Sequence, residues 1–481
     1  LVGERQEGEE EVEASCALPA ARARAGHELG VAATGAVASA GALETCFQWA
    51  FRMWRAAEAE VGRGVLHSRL LARAWLCSSH FSGVGTLEAA LQMLAAAGRA
   101  AFGAPLQLDT AFAVERAAGC QRALLKRLKG GGCLFADVRD HFDEARADGC
   151  ISRGRLDFER AREVVLCAPL RPSARCLTHE GCPCKFPAVQ VDVSGSPCLP
   201  WSRASGRKRL GRSHPLTGLL VAWCAALRRR PVLVALHENV VGFDGGVLSE
   251  LLGDMYEIVQ LTVSPAQVGF GFLERRRRYH VLVLRSGARV VGDIQALYEA
   301  VSRALQPTSA AEAGRALWRA GERELLAEEN AARRLRGWPP ISEPSGPSGD
   351  WTYLLTQTQQ EYLMAYRSSA SKARPHEGPG VAFICDLGQS PSRGHVQCSF
   401  RLPTFKRGSS RIWSSVHRRW LLPRERAAAM GYAVYEELAS AAAVPLDEAM
   451  LAAPAYTTGN AMHVANLGCV LACVLLAVEA V

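Results

Sequence analysis

The stretch AWLCSSHFSGVGTLEAAL, Ala74 to Leu91, decides how this chain is read. Ala74–His80 is a short, mostly apolar run of strand length. Gly83 and Gly85 make a turn, and Leu87–Ala97 carries helical spacing. Glycines at such a turn let the backbone close around a ligand at a helix N-terminus. A single strand–turn–helix is common, so the weight comes from repetition of the pattern downstream.

Working outward, strand-length apolar runs recur at Thr110–Glu115, Cys133–Val138, Val189–Val193, Val232–His237, Glu257–Val263 and Tyr279–Arg285. Helical patterns at Gln121–Leu128, Leu216–Arg229 and Val247–Leu252 fall between them. This alternation predicts an α/β fold with crossover helices on a mostly parallel seven-stranded sheet. The last two strands are joined by a short non-helical stretch, which predicts antiparallel pairing at one edge.

The chain has 481 residues, with 49% hydrophobic and 21% charged, ordinary values for a globular protein of two or three domains. Its net charge of +9 is carried mostly by arginine. That excess suits a polyanion such as nucleic acid, and coding bias toward Arg and Ala produces it equally well. Sixteen cysteines in a chain with no visible secretory leader predict reduced, buried thiols rather than a disulfide scaffold. Leu1 at the start suggests a fragment or a processed product. The apolar run from Ala461 to Val481 contains His463, Asn466 and Glu479, so it reads as a buried helix rather than a membrane span. There is no internal repeat.

Charged and nucleophilic residues gather where strands end. Glu115 closes the second strand, where a carboxylate can accept two ribose hydroxyls. Asp137 stands at the end of the third, placed to accept from an adenine amino group. In open α/β sheets ligands sit beyond the carboxyl ends of strands, so the glycine turn, Glu115 and Asp137 converge on a nucleoside-shaped site. Either acid alone is more simply a helix cap or a solvated side chain.

SGSPCLPWS, Ser194 to Ser202, puts Cys198 on a proline-stiffened loop directly after a strand. Core packing does not explain a thiol there, and a thiol is a strong nucleophile near neutral pH once ionised. Glu238 ends an apolar strand, an expensive place for a carboxylate without a task. Four arginines, Arg275 to Arg278, enter the last strand. Alternation puts Arg276 and Arg278 on one face and Arg275 and Arg277 on the other, so one pair can enter a site. Taken alone, an arginine run is a solvated surface or a localisation signal.

In this order the segments resemble the DNA cytosine carbon-5 methyltransferase family. The resemblance covers about residues 74–285 and 403–470. It rests on FSGVG, SPCLPWS, Glu238-Asn239-Val240, the Glu274–Arg278 run, WLLPRERAAAMGY (Trp420–Tyr432) and GNAMHVANLG (Gly459–Gly468). It implies an S-adenosylmethionine-dependent methyltransferase Rossmann-like fold plus a smaller target recognition domain. It implies methyl transfer to carbon 5 of cytosine in DNA through a covalent Cys198 adduct on a flipped-out base. Cys198, Glu238, Arg276 and Arg278 would be catalytic. Phe81, Gly83, Gly85, Glu115, Asp137 and Asn460 would contact the cofactor. Trp201, Ser202, Arg203, Lys406 and Arg407 would contact DNA.

The implied division is an N-terminal extension over 1–60, partly disordered and then helical around FQWAFRMWRAAEAEV. A catalytic domain spans 61–285, with a Cys-rich insertion at about 141–187. The recognition region is 286–402, with a linker at 338–350, and 403–481 returns to the catalytic domain. The expected partner is double-stranded DNA, with no membrane, for a monomer in the nucleus of a eukaryote or the cytoplasm of a bacterium. A catalytically silent DNA-binding relative and an RNA cytosine methyltransferase are the rival readings.

Several positions depart from the family pattern. Ser79 stands where an acid is usual, Arg116 where an aromatic is, Leu199 and Glu274 where Gln is, and Leu273 where Pro is. Cys176, His179, Cys182 and Cys184, with Cys167 upstream, are ligand types for zinc. Their C-x5-C-x-C spacing matches no usual finger or ribbon, so a Cys-rich loop without metal is the expectation.

Overall fold

The computed structural model describes residues 36–104, 106–128, 131–143, 158–202, 210–306, 309–342, 349–376, 381–392, 396–406 and 411–481. In chain order its first strands are β1 (Trp75–His80), β2 (Leu108–Val114), β3 (Cys133–Phe135), β4 (Ser173–Arg175), β5 (Pro183–Lys185), β6 (Val191–Ser194), β7 (Val234–Val240), β8 (Tyr256–Val263) and β9 (Arg277–Leu284). Seven of them form the main sheet in the order β3-β2-β1-β6-β7-β9-β8. β4 and β5 make a separate hairpin. The strands from β3 to β7 run parallel, and β9 runs antiparallel to both β7 and β8. This is the methyltransferase Rossmann-like arrangement. The reversed strand is β9, inserted between β7 and the edge strand β8.

The strands read as apolar runs because helices cover both faces. Val234 and Leu236 of β7 join one core, with Val281 and Val283 of β9. Ala235, Leu282 and Leu284 point the other way into a second core. The first core holds helices Thr86–Phe102, Trp49–Val61, Ile294–Leu305 and Val464–Ala477. The second holds Thr217–Arg229, Gly246–Leu252 and Phe158–Val165. The apolar run predicts a strand over Cys133–Val138, but it stops at Phe135 because Asp137 caps a 3-10 turn over Val138–His141.

Val464–Ala477 is buried throughout its length. Its Gly468 passes against an indole, and a Cβ there would collide with Trp49 Cη2. The N-terminal helix thus docks on the C-terminal one through a missing side chain.

A third, separate core links Leu325, Trp351, Leu363, Tyr366, Trp413 and Trp420. A small three-stranded sheet, β11 (Ile384–Asp386), β12 (Ile412–Ser414) and β13 (Arg419–Trp420), lies within it; the intervening β10 (Ala288–Val290) pairs with Val478–Ala480 instead. Helix Ile294–Leu305 packs in the main core, as do Ile384 and Ile412 of the small sheet.

Candidate functional site

Sheet register sets the site. Val114, His80 and Ser194 stand side by side at the carboxyl ends of β2, β1 and β6, level with His237 inside β7. The next residues are Glu115, Phe81 and Gly195, where three chains leave the sheet, and Glu238, which stays in β7 opposite Tyr279 of β9. Phe135 of β3 pairs with Val114, and Asp137 follows it two residues on.

At the β1 end, Phe81, Gly83 and Gly85 all have positive φ, at 55°, 58° and 83°. Two glycines tolerate this backbone at no steric cost, and Phe81 is held in it. Gly83 has open space where a Cβ would be, whereas at Gly85 a Cβ would lie 2.5 Å from Arg127 Cδ. Glu115 accepts from the Gly83 N–H at 2.8 Å and the Ala117 N–H at 2.7 Å, which fixes its carboxylate against the glycine turn. Ser79 bonds Ser82 and the carboxylate of Glu88, which approaches to 3.1 Å. Burial pushes the Glu88 carboxyl above its ordinary range. A carboxyl therefore stands beside Ser79 even though that position is not itself an acid.

Asp137 is already engaged. It caps the 3-10 turn through Arg139 N and accepts from Arg139 Nε at 2.9 Å and Nη2 at 2.6 Å. An adenine amino group would have to share that carboxylate with Arg139. Asn460 is exposed at the end of the short helix Thr457–Asn460. The turn, Glu115 and the helix N-terminus at Thr86 fit an adenosine-bearing cofactor, with Asp137 the weakest of the set.

Cys198 is exposed on the loop after β6. Its carbonyl accepts from both Trp201 N (3.0 Å) and Ser202 N (2.9 Å), so the chain turns tightly just past the thiol. Asn239 of the Glu-Asn-Val run holds the same loop: its Nδ2 reaches Ser196 Oγ at 3.1 Å and Ser196 O at 3.3 Å. Ser196 Oγ also pairs with His237 Nε2 at 2.8 Å. Gly195 is small because Met462 needs the room; a Cβ there would sit 2.9 Å from Met462 Cε. Although accessible, the Cys198 thiol is surrounded by protein, and desolvation raises it above the ordinary thiol range. The Arg277 charge opposes this, Glu238 adds to it, and Arg275 opposes it.

The arginine run enters with the opposite pair to the one the resemblance implied. Arg277 Nε lies 2.9 Å from Glu238 Oε1. Arg275 is buried, donates to Ala461 O at 2.5 Å, and is depressed to about 10, first by desolvation and then by Arg277. Arg276 is exposed, and Arg278 donates to Phe243 O at 3.1 Å. Alternation still groups Arg275 with Arg277; register decides which pair enters, because Arg277 stands opposite Val240, on the face of β7 that Glu238 shares two residues back.

Of the residues expected on DNA, Trp201 is only 6% exposed and packs edge-on against Phe243 at 5.1 Å. It is a wall of the loop and not a surface contact. Ser202 follows it, half-buried. Lys406 reaches Gln389 and comes to 3.9 Å from Asp386. Arg203 and Arg407 lie outside the described residues. Glu274 is exposed, and Gln397 of the small lobe donates to it at 2.8 Å.

A buried polar chain escaped the sequence reading. Asp192 of β6 is 1% exposed and accepts from Ser78 Oγ (2.6 Å), His80 Nδ1 (2.7 Å) and Trp223 Nε1 (2.8 Å). His80 Nε2 faces His141 Nε2 at 2.8 Å, and His141 Nδ1 faces Arg230 Nη1 at 3.0 Å. Arginine only donates, so His141 Nδ1 accepts and its Nε2 carries the proton; His80 then accepts at Nε2 and donates from Nδ1 to Asp192. All bonds of the chain point one way. This pins the ends of β1 and β6, the two strands that carry the glycine turn and Cys198.

In the Cys-rich insertion, Cys176, His179 and Cys184 come together, but the fourth member is Cys133 of β3. Cys182 and Cys167 are exposed and stand outside the group.

A Rossmann-like methyltransferase sheet with an accessible cysteine and a glutamate at neighbouring strand ends is thus the class of structure in hand. Solved structures similar to this chain include a Dnmt2 methyltransferase of S. pombe (14% identity, TM-score 0.40, covering 83% of this chain and 98% of that one). A putative DNA modification methyltransferase encoded within a prophage of E. coli shows 15% identity and a TM-score of 0.42, over 83% and 98%. The Entamoeba histolytica methyltransferase EhMeth shows 11% and 0.39, over 84% and 98%. No family model and no curated protein matches the chain.

Proposed function

We propose that this chain transfers a methyl group from S-adenosylmethionine to carbon 5 of cytosine in double-stranded DNA. The observation that carries the reading is the accessible Cys198 beside the Glu238–Arg277 pair, one strand end away from the glycine turn and Glu115. The net charge of +9 suits the partner.

The cytosine would leave the duplex to reach the loop. The Cys198 thiolate bonds to carbon 6, and the ring electrons move toward carbon 5 and the N3 edge. Glu238 accepts from the cytosine 4-amino group, and the Arg277 guanidinium paired with it supplies the positive charge that stabilises the electrons moving toward N3. S-adenosylmethionine, when bound along Phe81, Gly83, Gly85 and Glu115, supplies the methyl group. Loss of the carbon 5 proton restores the ring double bond and expels Cys198. Asn239 and Ser196 hold the loop so that the thiol needs no reorganisation.

The test incubates the full chain with duplex DNA and labelled cofactor, then sequences for 5-methylcytosine. Methylated cytosine with wild type and none with Cys198→Ala supports the reading. Label entering RNA but not DNA favours the RNA enzyme. Cofactor binding without transfer to either favours a silent relative, a reading that the engagement of Asp137 by Arg139 also suits.

A further inference from the structure

We propose that Cys133 Sγ, Cys176 Sγ, Cys184 Sγ and His179 Nδ1 bind one zinc ion tetrahedrally, clasping the β4–β5 hairpin to β3. These four atoms lie within 4.8 Å of one another. His179 Nδ1 is 3.3 Å from Cys176 Sγ, 3.3 Å from Cys184 Sγ and 3.8 Å from Cys133 Sγ. With Zn–S near 2.3 Å and Zn–N near 2.0 Å, a tetrahedral site has S···N edges of about 3.5 Å. The arrangement is already the outline of such a site. One imidazole nitrogen offers a single lone pair or a single proton, so hydrogen bonding does not account for three sulfurs around it.

The backbone is built to deliver these ligands. Ala174 pairs with Cys184 across the hairpin, which brings Cys176 and Cys184 to one end. Between them Glu180 and Gly181 both take positive φ (51° and 81°), and Cys182 O accepts from Cys176 N at 3.0 Å. This tight reversal lifts His179 over the two sulfurs and leaves Cys182 facing outward. The hairpin is stitched to the sheet: Leu177 N donates to Leu134 O at 2.7 Å, and Phe135 bridges Cys176. Cys133 completes the set from 43 positions upstream of Cys176, and local spacing therefore does not reveal it.

Three thiolates and one imidazole fill all four positions, so the ion is structural, without a position for a reacting water. Binding releases the three thiol protons. The clasp fixes the end of β3, from which Asp137 departs, and the hairpin that leads into β6 and Cys198.

Elemental analysis of the purified full chain, expressed with zinc, tests this without any variant. The expected result is one zinc per chain, released by a mercurial thiol reagent. Cobalt exchanged into the site should give the intense visible bands of a tetrahedral ion with sulfur-to-cobalt charge transfer. Cys184→Ser should lower zinc content at least tenfold, while Cys182→Ser and Cys167→Ser keep it whole. Wild-type protein without zinc and without a cobalt spectrum overturns the proposal. So does loss of the metal in Cys182→Ser, which would assign the ion to the local Cys-His-Cys run. Neither result bears on methyl transfer, which has its own assay.

Discussion

Arg277 and Glu238 meet at 2.9 Å across the antiparallel β7–β9 pair, with the Cys198 thiol within the field of both. The arginine does two things at once. It holds the Glu238 carboxylate on β7, and its charge draws down a thiol that burial pushes up. Arg277→Ala should therefore lower kcat by roughly 10- to 1000-fold, the range for losing one stabilising charge in a reactive site. It should also move the rising limb of the pH–rate profile to higher pH, because desolvation is then opposed by Arg275 alone. Arg276→Ala, at an exposed position, should change neither by more than about twofold. Equal losses in the two variants would return the role to Arg276.

Cys198→Ala should remove methyl transfer to background. The side chain is exposed, so stability should stay within about 0.5 kcal/mol of wild type in urea unfolding. In the wild type the thiolate is the reactive form and the thiol is raised above its ordinary value. The rate should accordingly climb with pH through the neutral range into the alkaline one. A pH-independent rate between about 7 and 9 would contradict this.

Asn239→Ala removes the Nδ2 contacts to Ser196 O and Oγ, leaves Oγ bonded to His237 Nε2, and frees the loop that carries Cys198. We expect kcat to fall by roughly 10- to 100-fold with cofactor affinity nearly unchanged, since a small displacement of a reacting atom is enough. Stability should fall by about 1–3 kcal/mol, the cost of a broken buried hydrogen bond. Isothermal titration with cofactor, beside steady-state kinetics, separates the two effects.

Burial also sets an acid limit. His141 and His237 are held well below the ordinary imidazole range by desolvation, His280 and His417 are lowered to about 4, and His463 to about 3. Once unfolded, each titrates near 6.5. Below that pH the unfolded chain takes up protons that the folded chain does not, so stability is full above about pH 7 and falls as pH drops toward about 4. Each such ring contributes a slope of about 1.4 kcal/mol per pH unit. Urea midpoints at about pH 7.5, 6 and 5 should decline steadily; a flat series would mean these rings are not neutral and enclosed.

Gly468→Ala asks whether the N-terminal helices are integral. A methyl placed there runs into Trp49 Cη2 and must displace the indole in a fully buried contact. Overpacking of that kind costs about 1–3 kcal/mol, more than the roughly 1 kcal/mol an alanine gains over glycine in a helix. Thermal unfolding should show the loss, and Trp49→Phe in the same background should recover part of it.

Legibility follows sequence distance. Glu115 and Glu238 are readable because each lies at the close of an apolar run, and Cys198 because its proline-flanked loop leaves one; these are local signals. The β9 reversal is readable from the short link after β8. The polar chain is not: Asp192 and His80 are 112 positions apart and His80 and His141 are 61, and each looks like an ordinary core or turn residue alone. Trp201 misleads because an aromatic beside a basic loop suggests a surface contact, while Phe243 supplies a wall to bury it.

By itself the sequence determined the α/β alternation, the strand ends that carry function, and the presence of Arg275, Arg276, Arg277 and Arg278 beside the last strand. The tertiary structure decided which of those arginines meets Glu238 and which cysteine completes the cluster around His179. Both depend on register and on segments brought together across the sheet. Local spacing carries the period of a strand, but not its phase or its neighbours.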